Sequence, residues 1–168
     1  MPLSLYQALI PTLLRGLDNL SAVLAKGKAY AEANQIDMST LLEAQLAPDM
    51  YSLTRQIQAV SDAAKFGAAR LGSVTPPPFP DTETTYDELQ ARIARTVDFV
   101  KSVSEAQINA SEGGTVTMKV RGKDLTFPSQ IYLQNFVLPN FYFHATAAYA
   151  ILRHKGVPLG KMDFLGSM

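Results

Sequence analysis

The chain has 168 residues, 47% of them hydrophobic, with 15 Lys plus Arg against 15 Asp plus Glu. That length buries one ample core, so a single domain over residues 1–168 is expected, and the balanced charge argues against a dedicated nucleic-acid or anionic-membrane surface. The absence of cysteine excludes disulfides, thiolate metal ligands and cysteine nucleophiles, and suits a cytoplasmic protein.

The opening MPLSLYQALIPTLLRGL is apolar but carries neither a basic leader nor a small-residue cleavage pattern, so no secretory signal is expected. No apolar run reaches membrane-spanning length, and no membrane partner is expected. Ser4 and Gln7 have the spacing of a capping box. Leu5, Leu9, Leu13, Leu17, Leu20 and Leu24 then recur at helical spacing and predict a first helix ending near Asn34. Pro11 lies inside this stripe, and its missing N–H predicts a kink or a later start. After the polar break at residues 34–37, a weaker helical piece is expected around Thr40 to Ala44, capped by Thr40 with Glu43.

Pro48 suits the first turn of a second helix. Met50, Leu53, Ile57, Val60, Ala64 and Leu71 share its apolar face, and Gly72 reads as a left-handed stop. Arg55, Gln56 and Asp62 fall away from the centre of that stripe and read as solvated. The run VTPPPFPDTETT is a linker, because stacked prolines favour extended backbone, and it reads as a long crossover between helices. A third helix is predicted from Thr84 or Thr85, capped with Asp87 or Glu88, along Tyr86, Leu89, Ile93, Val97 and Val100 to about Val103.

TVTMKV alternates with the period of a half-buried strand, and RGKD followed by LTF completes a hairpin. Ser129 is positioned to cap a fourth helix, which Pro139 should kink or divide before it stops near His154 and Gly156. The expected fold is therefore all-α: four main helices, about 60% helix, and a small hairpin between helices 3 and 4.

The chemistry-bearing stretch is residues 128–166, which hold both histidines and seven of the fifteen Phe and Tyr residues. Asn140 and His144 are four apart on one helix and share a face. His144 lies among Phe141, Tyr142, Phe143 and Tyr149. It reads either as a core imidazole held by one or two hydrogen bonds or as part of a site. His154, with Arg153 and Lys155, complements the exposed carbonyls of a helix end. EGGT precedes a strand pattern rather than a helix, so it is not a phosphate loop, and no nucleophile turn or nucleic-acid motif is present.

LPNFYFHATAAYAILRHKGVPLGKMDFLG, together with SLYQALIPTLLRGLDNL and LAPDMYSLTRQIQ, resembles an uncharacterised bacterial family related to the DinB/YfiT-like superfamily. The resemblance covers nearly the whole chain. It implies a DinB-like four-helix bundle, often dimeric, with a crossover between the middle helices. It also implies a divalent metal on three histidines in some members, with thiol-transfer activity in some of those. The positions that match the two fourth-helix histidines are Asn140 and His144. No histidine precedes His144, and Asp49 offers an oxygen in roughly the region of the missing ligand. A neutral amide, one imidazole and one carboxylate make a weaker, less zinc-like set. Two readings follow. One is a homodimeric small-molecule-binding or interaction module with a degenerate metal site at Asn140, His144 and Asp49, beside Tyr142. The other is a metal-assisted enzyme, thiol-transferase-like or a hydrolase, in which His144 works with Asp49 or Tyr142.

Overall fold

The computed structural model describes residues 3–167. Met1, Pro2 and Met168, the ends of the domain expected over 1–168, lie outside the described residues. Of the described residues 64% are helical, and they include one two-stranded antiparallel hairpin.

Helix α1 (Leu5–Ala33) starts at the capping box read from the sequence: Ser4 Oγ accepts from Gln7 N–H, and Gln7 Oε1 accepts from Ser4 N–H. Two further donors of its first turn are met from a distance, Leu5 N–H by Glu112 Oε1 and Tyr6 N–H by Asn109 Oδ1, both at 3.0 Å. The start is therefore satisfied upstream of Pro11, and the helix runs through that proline instead of beginning after it. Leu9, Leu13, Leu17 and Leu24 are fully buried, each contributing roughly 1.5–3 kcal/mol over an exposed position. By length and composition α1 does reach membrane-spanning dimensions, contrary to the reading of apolar runs alone. In this fold its leucine stripe packs on other helices of the same chain.

Helix α2 (Met38–Leu42) is capped by Asp37, whose Oδ1 accepts from Ser39 N–H, so Thr40 lies inside the helix and is not its cap. Helix α3 (Leu53–Leu71) begins later than Pro48. That proline sits in a turn closed by Met50 N–H on Ala47 O, and the helix starts where the Ser52 hydroxyl offers an acceptor to Arg55 N–H. Gly72 has φ −85°, and the left-handed residue is Ser73 at φ 51°. Glycine at 72 serves close packing instead, since a Cβ there would stand 2.4 Å from Val103 Cγ1.

Residues 74–85 cross to helix α4 (Tyr86–Ser102), which opens on a Thr85–Glu88 capping box. The polar passage beyond it holds one short helix, α5 (Glu105–Asn109), capped by Ser104. Strands β1 (Thr115–Val120) and β2 (Lys123–Pro128) pair with Val120 opposite Lys123. The turn is thus the two residues Arg121 and Gly122, both at positive φ, and Lys123 and Asp124 belong to the strand. This is the turn whose twist matches paired strands.

Ser129 does not cap the next helix. It is the first residue of α6 (Ser129–Tyr132), buried, with its hydroxyl unpartnered among the described residues. A π-helical turn (Leu133–Val137) follows, then α7 (Leu138–His154). The helical run is divided before Pro139: Leu138 N–H bonds back five residues to Leu133 O, and the proline then enters α7 in its first turn, where no N–H is required. Helix α8 (Lys161–Leu165) ends the described chain. Helix α3 packs on α4 and α7, and α1 packs on α4, α7 and α8.

Candidate functional site

Helix α3 runs beside α7 and the π-helical turn that leads into it, with Gln56 meeting His144 of α7 at one level and Gly67 meeting Val137 of the turn at another. Gly67 is what brings them together, because a Cβ there would come within 2.5 Å of Val137 Cγ1. Small residues on α3, Ala59 and Ala63, leave space beside this contact, and a recess of about 290 Å³ opens there. Asn140 and His144 both line it, as their four-residue spacing requires. Tyr51, Arg55, Asp62, Arg70 and Tyr132 contribute the rest of its polar wall.

His144 is held on three sides. Its Nδ1 lies 2.7 Å from Gln56 Oε1, its ring stacks on Tyr51 at 6.0 Å between centroids, and Phe143 meets it edge-on at 5.2 Å. Gln56 turns its Oε1 to the imidazole, and its Nε2 makes a long 3.5 Å hydrogen bond to Tyr51 O. Oε1 can only accept, so Nδ1 carries the proton and Nε2 is the acceptor nitrogen of the neutral ring. Burial favours that neutral form and pushes the His144 pKa below its usual value.

Gln56 was expected to be solvated and is instead 2% exposed. The sequence signal was its place in the set Leu53, Gln56, Ile57, Val60, where it falls on the buried face beside the apolar residues. Arg92 repeats the pattern among Leu89, Ile93 and Thr96, and it is completely buried. It donates to Asp62 and Glu83 at 3.0 Å, to Ser61 Oγ at 3.1 Å and to Pro80 O, and it pairs with Asp81. Asp62 also takes Lys65 at 3.1 Å and is therefore not the free surface carboxylate its sequence position suggested. Phe79 of the crossover lies under Lys65, Arg92 and Arg95. Burial alone would raise the Asp81 carboxyl, but Arg55 and Arg92 overcome this and hold it below its ordinary value. These contacts fasten the proline-rich crossover to α3 and α4 and fix Asp62 at the edge of the recess.

The other two residues named from the sequence lie elsewhere. Asp49 is exposed in the turn before α3 and is not among the residues that line this recess. Tyr142 points to a different cavity of about 290 Å³ between α1, α7 and α8, with Tyr149 and Phe164, and burial raises its pKa. The terminal motif closes that cavity: Arg15 donates to Leu165 O, Asn19 to Phe164 O, and Lys26 pairs with Asp163.

A three-imidazole metal centre does not fit these residues. Only one histidine reaches the recess, Asn140 offers a neutral oxygen, Asp62 is already paired with two cations, and among the described residues no three His, Asp or Glu side chains are grouped so as to hold a metal ion.

A family model described as a domain of unknown function, DUF1993, matches residues 5–165. A crystal structure of a DinB family member protein from Shewanella denitrificans is similar at 40% identity and a TM-score of 0.90, over 98% of this chain and 93% of that one. No curated protein matches.

Proposed function

The chain belongs to the DUF1993 domain family, and from it we propose a DinB-like four-helix bundle that acts as a small-molecule-binding module. The four long helices, α1, α3, α4 and α7, and their mutual packing support the bundle. The observation that carries the binding reading is the pair Asn140 and His144 on one wall of the recess, with the imidazole oriented by buried Gln56. A donor–acceptor amide and an imidazole acceptor, one helical turn apart in a concave site, suit an uncharged hydrogen-bonding group of a ligand. Screening metabolites by thermal shift tests this. Stabilising compounds should lose their effect in both Asn140→Ala and His144→Ala; compounds that still stabilise both variants would remove the site.

A second reading, an enzyme with His144 as general base, is supported by the neutral ring and by the lack of a protein hydrogen bond to Nε2 among the described residues. Its metal-assisted form lacks donors. We further propose a homodimer, since Ile131, Phe143 and Leu125 expose apolar surface and the hairpin leaves unpaired strand edges. A monomer by light scattering at micromolar concentration rejects it. The proposed cytoplasmic location is supported by the cysteine-free composition.

A further inference from the structure

We propose that the Arg70 end of the α3–α7 recess binds a small oxyanion, a carboxylate or phosphate carried by the same ligand that meets Asn140 and His144; this rests on the binding-module reading above. Arg70 lies in the last turn of α3, half-buried, and lines the recess with Tyr132 and Met118. Its Nη1 donates to Tyr132 Oη at 2.9 Å, and its guanidinium stands 4.9 Å from the Phe66 ring centroid. Tyr132 is itself 1% exposed and wedged between Phe127 and Phe136. The cation is thus held in place from two sides before any ligand arrives.

What Arg70 does not have is a counter-charge. Arg55, Arg92 and Arg95 each pair with a carboxylate, whereas among the described residues none lies within ion-pair distance of Arg70. Its other N–H donors have no protein acceptor there either. The one carboxylate lining the recess, Asp62, is neutralised by Arg92 and Lys65, and the other lining cation, Arg55, is taken by Asp81. Apart from the partial negative charge of the α3 C-terminus, in whose last turn it lies, Arg70 is therefore the one charged side chain lining the recess that has no ionic partner. A planar guanidinium with free paired donors is shaped for carboxylate or phosphate oxygens, and partial burial strengthens the interaction relative to open water.

The recess also sets the ligand's shape. It follows α3 from Arg55 to Arg70, fifteen residues or roughly 22 Å of helix. A bare ion cannot touch both ends, so the ligand is elongated, with its oxyanion on Arg70 and a neutral hydrogen-bonding group towards Asn140 and His144. Ala59, Ala63 and Phe136 line the recess as well and suit an apolar spacer between the two.

The test uses the full chain and three probes that each carry an amide for the Asn140 and His144 end: 6-acetamidohexanoate, 5-acetamidopentyl phosphate and the neutral amide 6-acetamidohexanamide, followed by nitrogen–proton NMR. The carboxylate, the phosphate or both should move the Arg70 Nε–H resonance, and the neutral amide should not. Arg70→Gln keeps a donor for Tyr132 but removes the charge, and it should weaken anion binding about tenfold or more. Equal binding of the neutral amide and the carboxylate, unchanged affinity in Arg70→Gln, or no binding by either anion overturns the inference. His144→Ala separates the two readings. Loss of all probes in that variant with none lost in Arg70→Gln keeps the site and removes its oxyanion end. Dependence on Arg70 without dependence on His144 keeps the oxyanion end and removes the binding module proposed around His144.

Discussion

Gln56 and His144 lie 88 residues apart in the chain, and the amide oxygen of the first accepts from Nδ1 of the second at 2.7 Å. This bond joins α3 to α7 and selects the tautomer that leaves Nε2 as an acceptor. Gln56→Leu keeps the side-chain bulk but leaves Nδ1–H without a partner in a half-buried site. The expected cost is roughly 1–3 kcal/mol in urea denaturation. The Nδ1-protonated tautomer should also cease to dominate in nitrogen NMR. If neither stability nor tautomer changes, Gln56 does not orient the ring.

Burial depresses the folded-state pKa of His144, so between that value and the unfolded value of about 6.5 the unfolded chain binds more protons. The contribution of the neutral ring is complete above the unfolded pKa and is lost as pH falls through the folded one. Stability should therefore decline as pH drops below about 6.5, and His144→Gln should flatten that part of the profile. Urea midpoints measured across the range decide it; identical slopes in the two proteins would show that His144 is not the group responsible.

Removing Arg92 takes the fully buried cation from Glu83, whose side chain is 5% exposed, leaving it Arg95 at 3.5 Å and the Gln58 amide, while Asp62 and Asp81 keep only Lys65 and Arg55. Arg92→Met should cost about 3–5 kcal/mol, the usual consequence of breaking one side of a buried ion pair. It should also release the crossover at 74–85 to proteolysis. A variant with near-normal stability, or one in which cleavage falls elsewhere first, would mean that the network does not fasten the crossover.

Gly67→Ala places a methyl group 2.5 Å from Val137 Cγ1 in the π-helical turn and should destabilise by about 1–3 kcal/mol through overpacking. Val137→Ala removes the obstructing atom. The double variant should therefore be more stable than the sum of the two single losses, by a margin visible in denaturant midpoints. Strict additivity would show that the α3–α7 approach is set elsewhere.

Much of the local structure is legible in the chain because its causes are local. The Ser4–Gln7 and Thr85–Glu88 boxes, the leucine stripe of α1, the alternation of Thr115–Val120 and the proline-rich crossover each depend on residues within a turn or two. Misplacements arose where several local signals competed. Pro48 and Ser52 both mark helix starts, and the hydroxyl acceptor prevailed; Gly72 is the C-cap of α3, but its φ is ordinary rather than left-handed, and the lack of a Cβ serves to admit Val103. Asn140 and His144 share a recess because four residues make about one helical turn.

The partners in that recess were decided by tertiary structure. Gln56, Arg70 and Arg92 occupy positions whose helical phase marks burial or exposure, but phase does not say what lies opposite. His144 finds an amide only because Gly67 and Val137 allow α3 to approach α7 in one register. Tyr142 lies two residues from both Asn140 and His144, about 200° around the helix, and so faces α8 and a separate cavity. The sequence determined which faces would be apolar and where helices begin, through short-range hydrogen bonds and side-chain period. Which polar groups meet across 88 residues depended on how closely two backbones pack, a property of the assembled core rather than of any segment within it.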